Sequence, residues 1–182
     1  VFPTISIIST TGYSTVDYEL WPVGTHFILI AIMLVGGCAG STSGGMKVSR
    51  LILLVRSASQ EIVRAFRPNQ ILRMQVNGNP IDDTARAQTV LFVALFSLIA
   101  MVSMVVVAVI ESAYGVDFET SVAMVLATFG NIGPGFGQVG PTDNFAHLQP
   151  ITHLFLSLLM VLGRLELYAV LVLFVPAVWR KY

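Results

Sequence analysis

Four long stretches of this sequence carry no charged residue: Leu20 to Met46 (27 residues), Ala87 to Ile110 (24), Thr120 to Thr142 (23) and Asn144 to Gly163 (20). A shorter one follows from Leu167 to Trp179. A spanning helix needs about 20 apolar residues to cross a hydrocarbon core of roughly 30 Å, so each of the four is long enough to enter a bilayer. The whole chain is 11% charged and 55% hydrophobic, against roughly 25% charged in an ordinary soluble domain. The cleanest stretch, Ala87 to Ile110, has neither Gly nor Pro and is expected to be one uninterrupted transmembrane helix. It is internal and too long for the apolar core of a cleavable signal. The expected fold class is all-α integral membrane.

The placement of the charges predicts a topology. Lys47, Arg50, Arg56, Arg64, Arg67, Arg73 and Arg86 are seven of the ten basic residues, and Arg180 and Lys181 lie at the C-terminus. Positive residues mark the cytoplasmic side. The stretches bearing Asp17 and Glu19, then Glu111, Asp117, Glu119 and Asp143, hold no Lys or Arg and are expected outside. The chain then runs inward over about Pro22 to Val55, outward from about Ala85 to Ile110, and inward again from about His147 to Trp179. By parity the Thr120 to Thr142 stretch enters from outside and returns there, as a re-entrant loop. With ten basic and ten acidic residues the net charge is zero, which argues against a nucleic-acid partner. Lys47 is expected at the membrane edge, and His26, His147 and His153 near outer helix ends without metal-like spacing. The single cysteine, Cys38, is expected to be a small buried hydrophobe.

Glycine is clustered. Five of 15 lie in Gly36 to Gly45 and five in Gly130 to Gly140. A glycine costs about 1 kcal/mol against alanine in a helix interior, and Pro134 removes a donor, so neither segment suits regular helix. Non-helical backbone at membrane depth survives only where it is buried in protein or lines a wet cavity. Clustered glycine inside charge-free stretches therefore points to an ion pathway. The chain also repeats itself weakly: an apolar helix-like stretch, then TTGYST with an acidic, aromatic exit near the start, and NIGPG with a similar exit later, each followed by a second helix beginning near Pro22 or Pro150. The order helix, re-entrant helix, extended glycine strand, helix is that of pores whose filters use backbone carbonyls in place of an ion's hydration shell.

The stretches STTGYST (Ser9 to Thr15), GGCAGSTSGGMK (Gly36 to Lys47), FGNIGPGFG (Phe129 to Gly137) and GRLELY (Gly163 to Tyr168) resemble the Trk/Ktr/HKT-type potassium transporters, in particular the TrkH-like membrane subunits. The resemblance covers essentially the whole chain. It implies helix, pore-loop, helix repeats, four per chain around one pore, of which about one and a half are present. Residues 1–60 would be the end of the third repeat, 61–84 a cytoplasmic loop and 85–182 a complete fourth repeat, the C-terminal portion of such a protein.

The resemblance further implies a function, potassium uptake. Thr10, Thr11, Gly12 and Tyr13, with Asn131, Ile132, Gly133 and Pro134, would form two filter strands, with K⁺ at Thr11, Gly12, Ile132 and Gly133. Gly36, Gly37, Gly40, Ser41, Thr42, Ser43, Gly44 and Gly45 would form a gate loop beneath the filter, where a close helix contact is the plainer alternative. Arg164 and Glu166 are the only charges between Asn144 and Trp179, and charge is costly at that depth; the resemblance makes Arg164 a fixed positive charge in the pore. It also implies a bacterial inner-membrane, multi-pass protein, a homodimer, a cytoplasmic nucleotide-binding regulatory subunit, K⁺ as the transported ion and no covalently bound cofactor. A less selective Na⁺/K⁺ transporter is the near alternative.

Two enzymatic patterns fit poorly. GSTSGGMK (Gly40 to Lys47) approaches a phosphate-binding loop but has Met46 where lysine should follow Gly45 and Val48 where serine or threonine is needed. An intramembrane serine protease would pair Ser43 with a histidine, yet His26 and His153 are expected near the outer face and Ser43 deep or inward.

Overall fold

The computed structural model describes residues 1–182 except 39, 42, 68–74, 77–78, 81, 166 and 174–182. The helices are α1 (Phe2–Ile8), α2 (Val23–Leu34), α3 (Val48–Phe66), α4 (Asp83–Glu111), α5 (Phe118–Phe129), α6 (Pro150–Arg164) and α7 (Tyr168–Leu173). A two-residue hairpin pairs Gln75–Val76 with Asn79–Pro80 between α3 and α4.

Helix α4 is the long apolar helix the sequence predicts. Its 29 residues rise about 44 Å at 1.5 Å each, enough to cross a bilayer. One stripe, Phe92, Phe96, Ala100, Ser103, Val107 and Glu111, is buried against the rest of the chain. The opposite face leaves Leu98, Met101, Val105 and Val109 exposed, the all-round apolarity of a helix whose solvent is lipid. Among the described residues it is the one helix long and apolar enough to span. At its C-terminal end the fully buried Glu111 accepts a hydrogen bond from the Gln149 amide (3.2 Å) and ties α4 to the start of α6.

Helix α5 has 12 residues, about 18 Å, too short to span. Nine of them are buried, and the helix packs against α2, α4 and α6. It enters the protein, stops at Phe129 and hands the chain to an extended segment, as the parity of the charges requires of a re-entrant loop. Phe129 at its end stacks on Phe96 (centroids 4.2 Å), which lies 6.1 Å from Phe92, and the Arg50 guanidinium sits 3.9 Å from the Phe92 ring centroid.

Three features depart from the sequence expectation. The segment expected as loop from residue 61 begins inside α3, which continues to Phe66 and is held against α4 by Arg86, whose guanidinium contacts Glu61 and donates to the Ser57 carbonyl (3.4 Å). The inward helix expected from His147 to Trp179 is interrupted: α6 stops at Arg164, and Leu167 has φ +50° with its amide bonded to the Leu162 carbonyl (3.3 Å). Finally, Cys38 is exposed rather than buried, because the chain has left α2 four residues earlier and carries it outward on the glycine loop.

Candidate functional site

Two turns at the ends of α1 and α5 share one hydrogen-bond frame. After α1, the amides of Ser9, Thr10 and Thr11 bond to the carbonyls of Ile5 (2.9 Å), Ile7 (3.1 Å) and Ser6 (2.9 Å). After α5, the amides of Gly130, Asn131 and Ile132 bond to those of Leu126 (2.9 Å), Thr128 (3.0 Å) and Ala127 (2.8 Å). This is a Schellman closure, which needs a left-handed residue just past the helix end. Thr10 and Asn131 take that place, both at φ +54°. Asparagine tolerates it, whereas a β-branched threonine is an outlier there. Gly12 (φ +79°) and Gly133 (φ +111°) follow in register.

The structure brings the two turns side by side. A Cβ on Gly12 would overlap the Ile132 carbonyl oxygen and lie 3.3 Å from the Pro134 ring, and Gly12 Cα is 3.9 Å from a Cβ placed on Gly133. Ile132 is buried, Thr10, Gly12, Asn131 and Pro134 are half-buried, and Thr11, Tyr13 and Gly133 are exposed.

The glycine loop lies against the end of α5. It leaves α2 after Leu34 and is closed by the Gly36 amide to the Met46 carbonyl (2.8 Å), the Val48 amide to Gly37 (3.3 Å) and the Ser41 amide to Cys38 (3.0 Å). Ser43 Oγ accepts from the Gly37 amide (2.9 Å), so it is engaged as a loop brace. Gly40 and Gly45 adopt φ +85° and +76°. Gly36, Ser43, Gly44 and Gly45 are buried, Gly37 is half-buried, and Gly40 and Ser41 are exposed; Thr42 falls outside the described residues. Gly44 is the closest approach: a Cβ there would meet the Gly130 carbonyl at 2.6 Å and Asn131 Nδ2 at 2.8 Å. From the other side, a Cβ on Gly163 would overlap the Phe129 carbonyl oxygen and lie 3.0 Å from Asn131 Nδ2. The loop and the interruption of α6 therefore converge on the last residues of α5. Arg164, next to Gly163, is exposed at this level, and Glu166 falls outside the described residues.

Sequence reasoning missed the braces that follow the two turns. Tyr18 is almost fully buried, and its hydroxyl donates to the Gly135 carbonyl (2.8 Å). Burial pushes its phenol above the ordinary range. Its ring meets Phe136 edge-on (centroids 5.3 Å), and the His26 ring, 3.2 Å from the Tyr18 carbonyl, also lies against Phe136 (centroids 5.2 Å). A Cβ on Gly140 would lie 2.6 Å from Glu19 Oε1. The only sequence hint was the acidic, aromatic exit after TTGYST.

Burial raises the Glu19 carboxyl above its ordinary 4.5; the Gly137 backbone hydrogen bond opposes the shift, and Asp17 and Asp143 reinforce it. A proton held more tightly in the folded state stabilises the fold below the unfolded value, and that contribution is lost as pH rises through the raised one. Glu19→Gln is therefore expected to flatten the fall in thermal stability just above pH 4.5, measured on the full-length protein. An unchanged slope would remove Glu19 from the brace.

Comparison with known proteins gives the family. The family model for TrkH, a cation transport protein, matches residues 1–181. The Trk system potassium uptake protein TrkH of Salmonella typhimurium is 35% identical over 180 residues, covering 99% of this chain and 36% of the relative; the TrkH of Escherichia coli K12 is 34% identical with the same coverage. The chain thus spans about a third of the length of the curated relatives it matches. The crystal structure of the potassium transporter TrkH from Vibrio parahaemolyticus superposes with a TM-score of 0.85 at 32% identity, covering 98% of this chain and 37% of that one. With its helical fold and paired turns, the chain belongs to the TrkH family of cation transport proteins.

Proposed function

We propose that the protein containing this chain takes up K⁺ across a bacterial inner membrane as a multi-pass transporter. The observation that carries this is the pair of equivalent turns, Thr10 to Tyr13 and Asn131 to Pro134, set side by side at the ends of a short and a buried helix. Two left-handed residues per turn re-aim successive peptide planes, and accessible carbonyls so aimed replace an ion's water. K⁺ sits at Thr11, Gly12, Ile132 and Gly133, together with matching strands from the rest of the protein. The Gly36 to Gly45 loop obstructs the inner side and moves aside to conduct. The relatives carry names of potassium uptake proteins, which favours K⁺ over a less selective Na⁺/K⁺ pathway. A homodimer and a cytoplasmic nucleotide-binding regulatory subunit complete the proposed assembly. The direct test is growth of a K⁺-uptake-deficient bacterium at low K⁺ with the full-length gene; absence of rescue, with the protein present in the membrane, would refute K⁺ uptake.

In this scheme Arg164 is a fixed positive charge beside the ion path. At a separation of about 8 Å, its repulsion of a cation is ~0.5 kcal/mol at the dielectric of water and ~2 kcal/mol at an effective value near 20. Arg164→Ala is accordingly expected to raise K⁺ flux in proteoliposomes roughly two- to thirtyfold, by the rule that about 1.4 kcal/mol is tenfold. An unchanged flux would place Arg164 off the path.

A further inference from the structure

The proposed pathway gives Asn131 a backbone role only, yet its side chain is the point where three elements meet. Its Nδ2 donates to the Met160 carbonyl of α6 (3.1 Å), 29 positions along the chain. One helical turn further, Gly163 brings the α6 backbone so close that a Cβ would stand 3.0 Å from the same nitrogen. From the other side, a Cβ on Gly44 would stand 2.8 Å from Nδ2 and 2.9 Å from Asn131 Cβ. The amide is thus held between the glycine loop and the last turn of α6, just before α6 is interrupted at Arg164. Thr10, at the equivalent place in the first turn, makes no side-chain hydrogen bond among the described residues. The left-handed φ explains why asparagine suits the position, but it does not call for a bond to α6.

We propose that the Asn131 side chain is a latch that couples the glycine loop to α6. With the loop seated, Gly44 presses against the amide and holds Nδ2 on the Met160 carbonyl, which fixes the α6 segment carrying Arg164. When the loop withdraws, the amide loses its backing, the bond to Met160 opens, and the Arg164 end of α6 is free to shift. Asn131 is in this sense a positioning residue for gating, separate from the carbonyls of its own turn. The inference rests on the proposed ion pathway, and wild-type flux tests that pathway independently.

The test uses the full-length protein in planar bilayers, recording the open fraction. Asn131→Gly keeps the left-handed backbone and deletes the amide; Asn131→Asp keeps shape and replaces the donor by an acceptor, so a folding failure in one leaves the other. Loss of one amide–carbonyl hydrogen bond is expected to change the open/closed ratio by about two- to tenfold. Gly44→Ala is expected to alter the open fraction less in the Asn131→Gly background than in the wild type, since the methyl then meets the Gly130 carbonyl but no longer the Asn131 side chain. An unaltered open fraction would overturn the latch, as would full additivity with Gly44→Ala. A wild-type protein that carries no cation current would instead overturn the pathway itself.

Discussion

Gly12→Ser in the full-length protein is expected to lower the K⁺/Na⁺ uptake ratio by at least about tenfold, equivalent to ~1.4 kcal/mol of discrimination. Two costs combine at this position. A side chain at φ +79° is strained by roughly 1–2 kcal/mol, and its Cβ would overlap the Ile132 carbonyl oxygen. The obstructing atom is backbone of the opposite turn, so relief requires one turn to shift relative to the other. A carbonyl cage discriminates by how its oxygens are held, and such a shift disturbs both turns at once. Gly133→Ser makes the useful comparison. It carries the φ penalty at +111° but meets only Gly12 Cα, at 3.9 Å, so the same change in ratio is expected with a smaller amplitude. Paired Rb⁺ and Na⁺ uptake in a K⁺-uptake-deficient bacterium measures both; an unaltered ratio in Gly12→Ser would refute the filter assignment.

Gly163→Ala is expected to destabilise the full-length protein, against the intrinsic preference of a helix. In an isolated helix alanine gains about 1 kcal/mol over glycine. Here the new methyl would overlap the Phe129 carbonyl oxygen, and prying α6 from α5 is an overpacking change of order 1–3 kcal/mol. The clash exceeds the propensity gain, so the apparent Tm in detergent should fall. Gly24→Ala is the matched control in α2: nothing lies within 4 Å of its Cβ, and a gain of up to about 1 kcal/mol is expected. A higher Tm for Gly163→Ala would show that α6 and α5 do not meet there.

What could be read from the sequence, and what could not, follows from which interactions are local. A charge-free run such as Ala87 to Ile110 announces a lipid-facing helix because burial in a bilayer constrains every residue in it, and α4 matches that run closely. Glycines at positive φ are similarly legible, since few other residues accept such backbone, and the TTGYST and NIGPG segments bear this out. The interruption after Arg164 left no such mark. Leu167 takes φ +50° where neither glycine nor proline warns of it, so tertiary packing overrides local preference. Helix α3 meets Arg86 of α4 at Ser57 and Glu61 and runs on to Phe66, where a basic stretch read alone looks like loop. Tyr18 was invisible as a brace because its partner, Gly135, is over a hundred residues away in the chain, and the packing of Gly140 against Glu19 is equally remote in sequence. The Asn131 amide belongs with these, as its bond to Met160 is set by helix packing.

The strained Thr10 and the relaxed Asn131, occupying the same place in two equivalent turns, have a genetic consequence. In a pore assembled from identical subunits every mutation strikes each quadrant, and a residue must suit all of them at once. Two turns encoded separately on one polypeptide can diverge. In the proposed four-repeat pore a change at Thr10 alters a single quadrant, so its phenotype should be graded where the homo-oligomeric equivalent would be all or none. Selection can then stiffen one quadrant while freeing its neighbour to acquire a contact, such as that of Asn131 with α6, that no symmetric filter could confine to one side.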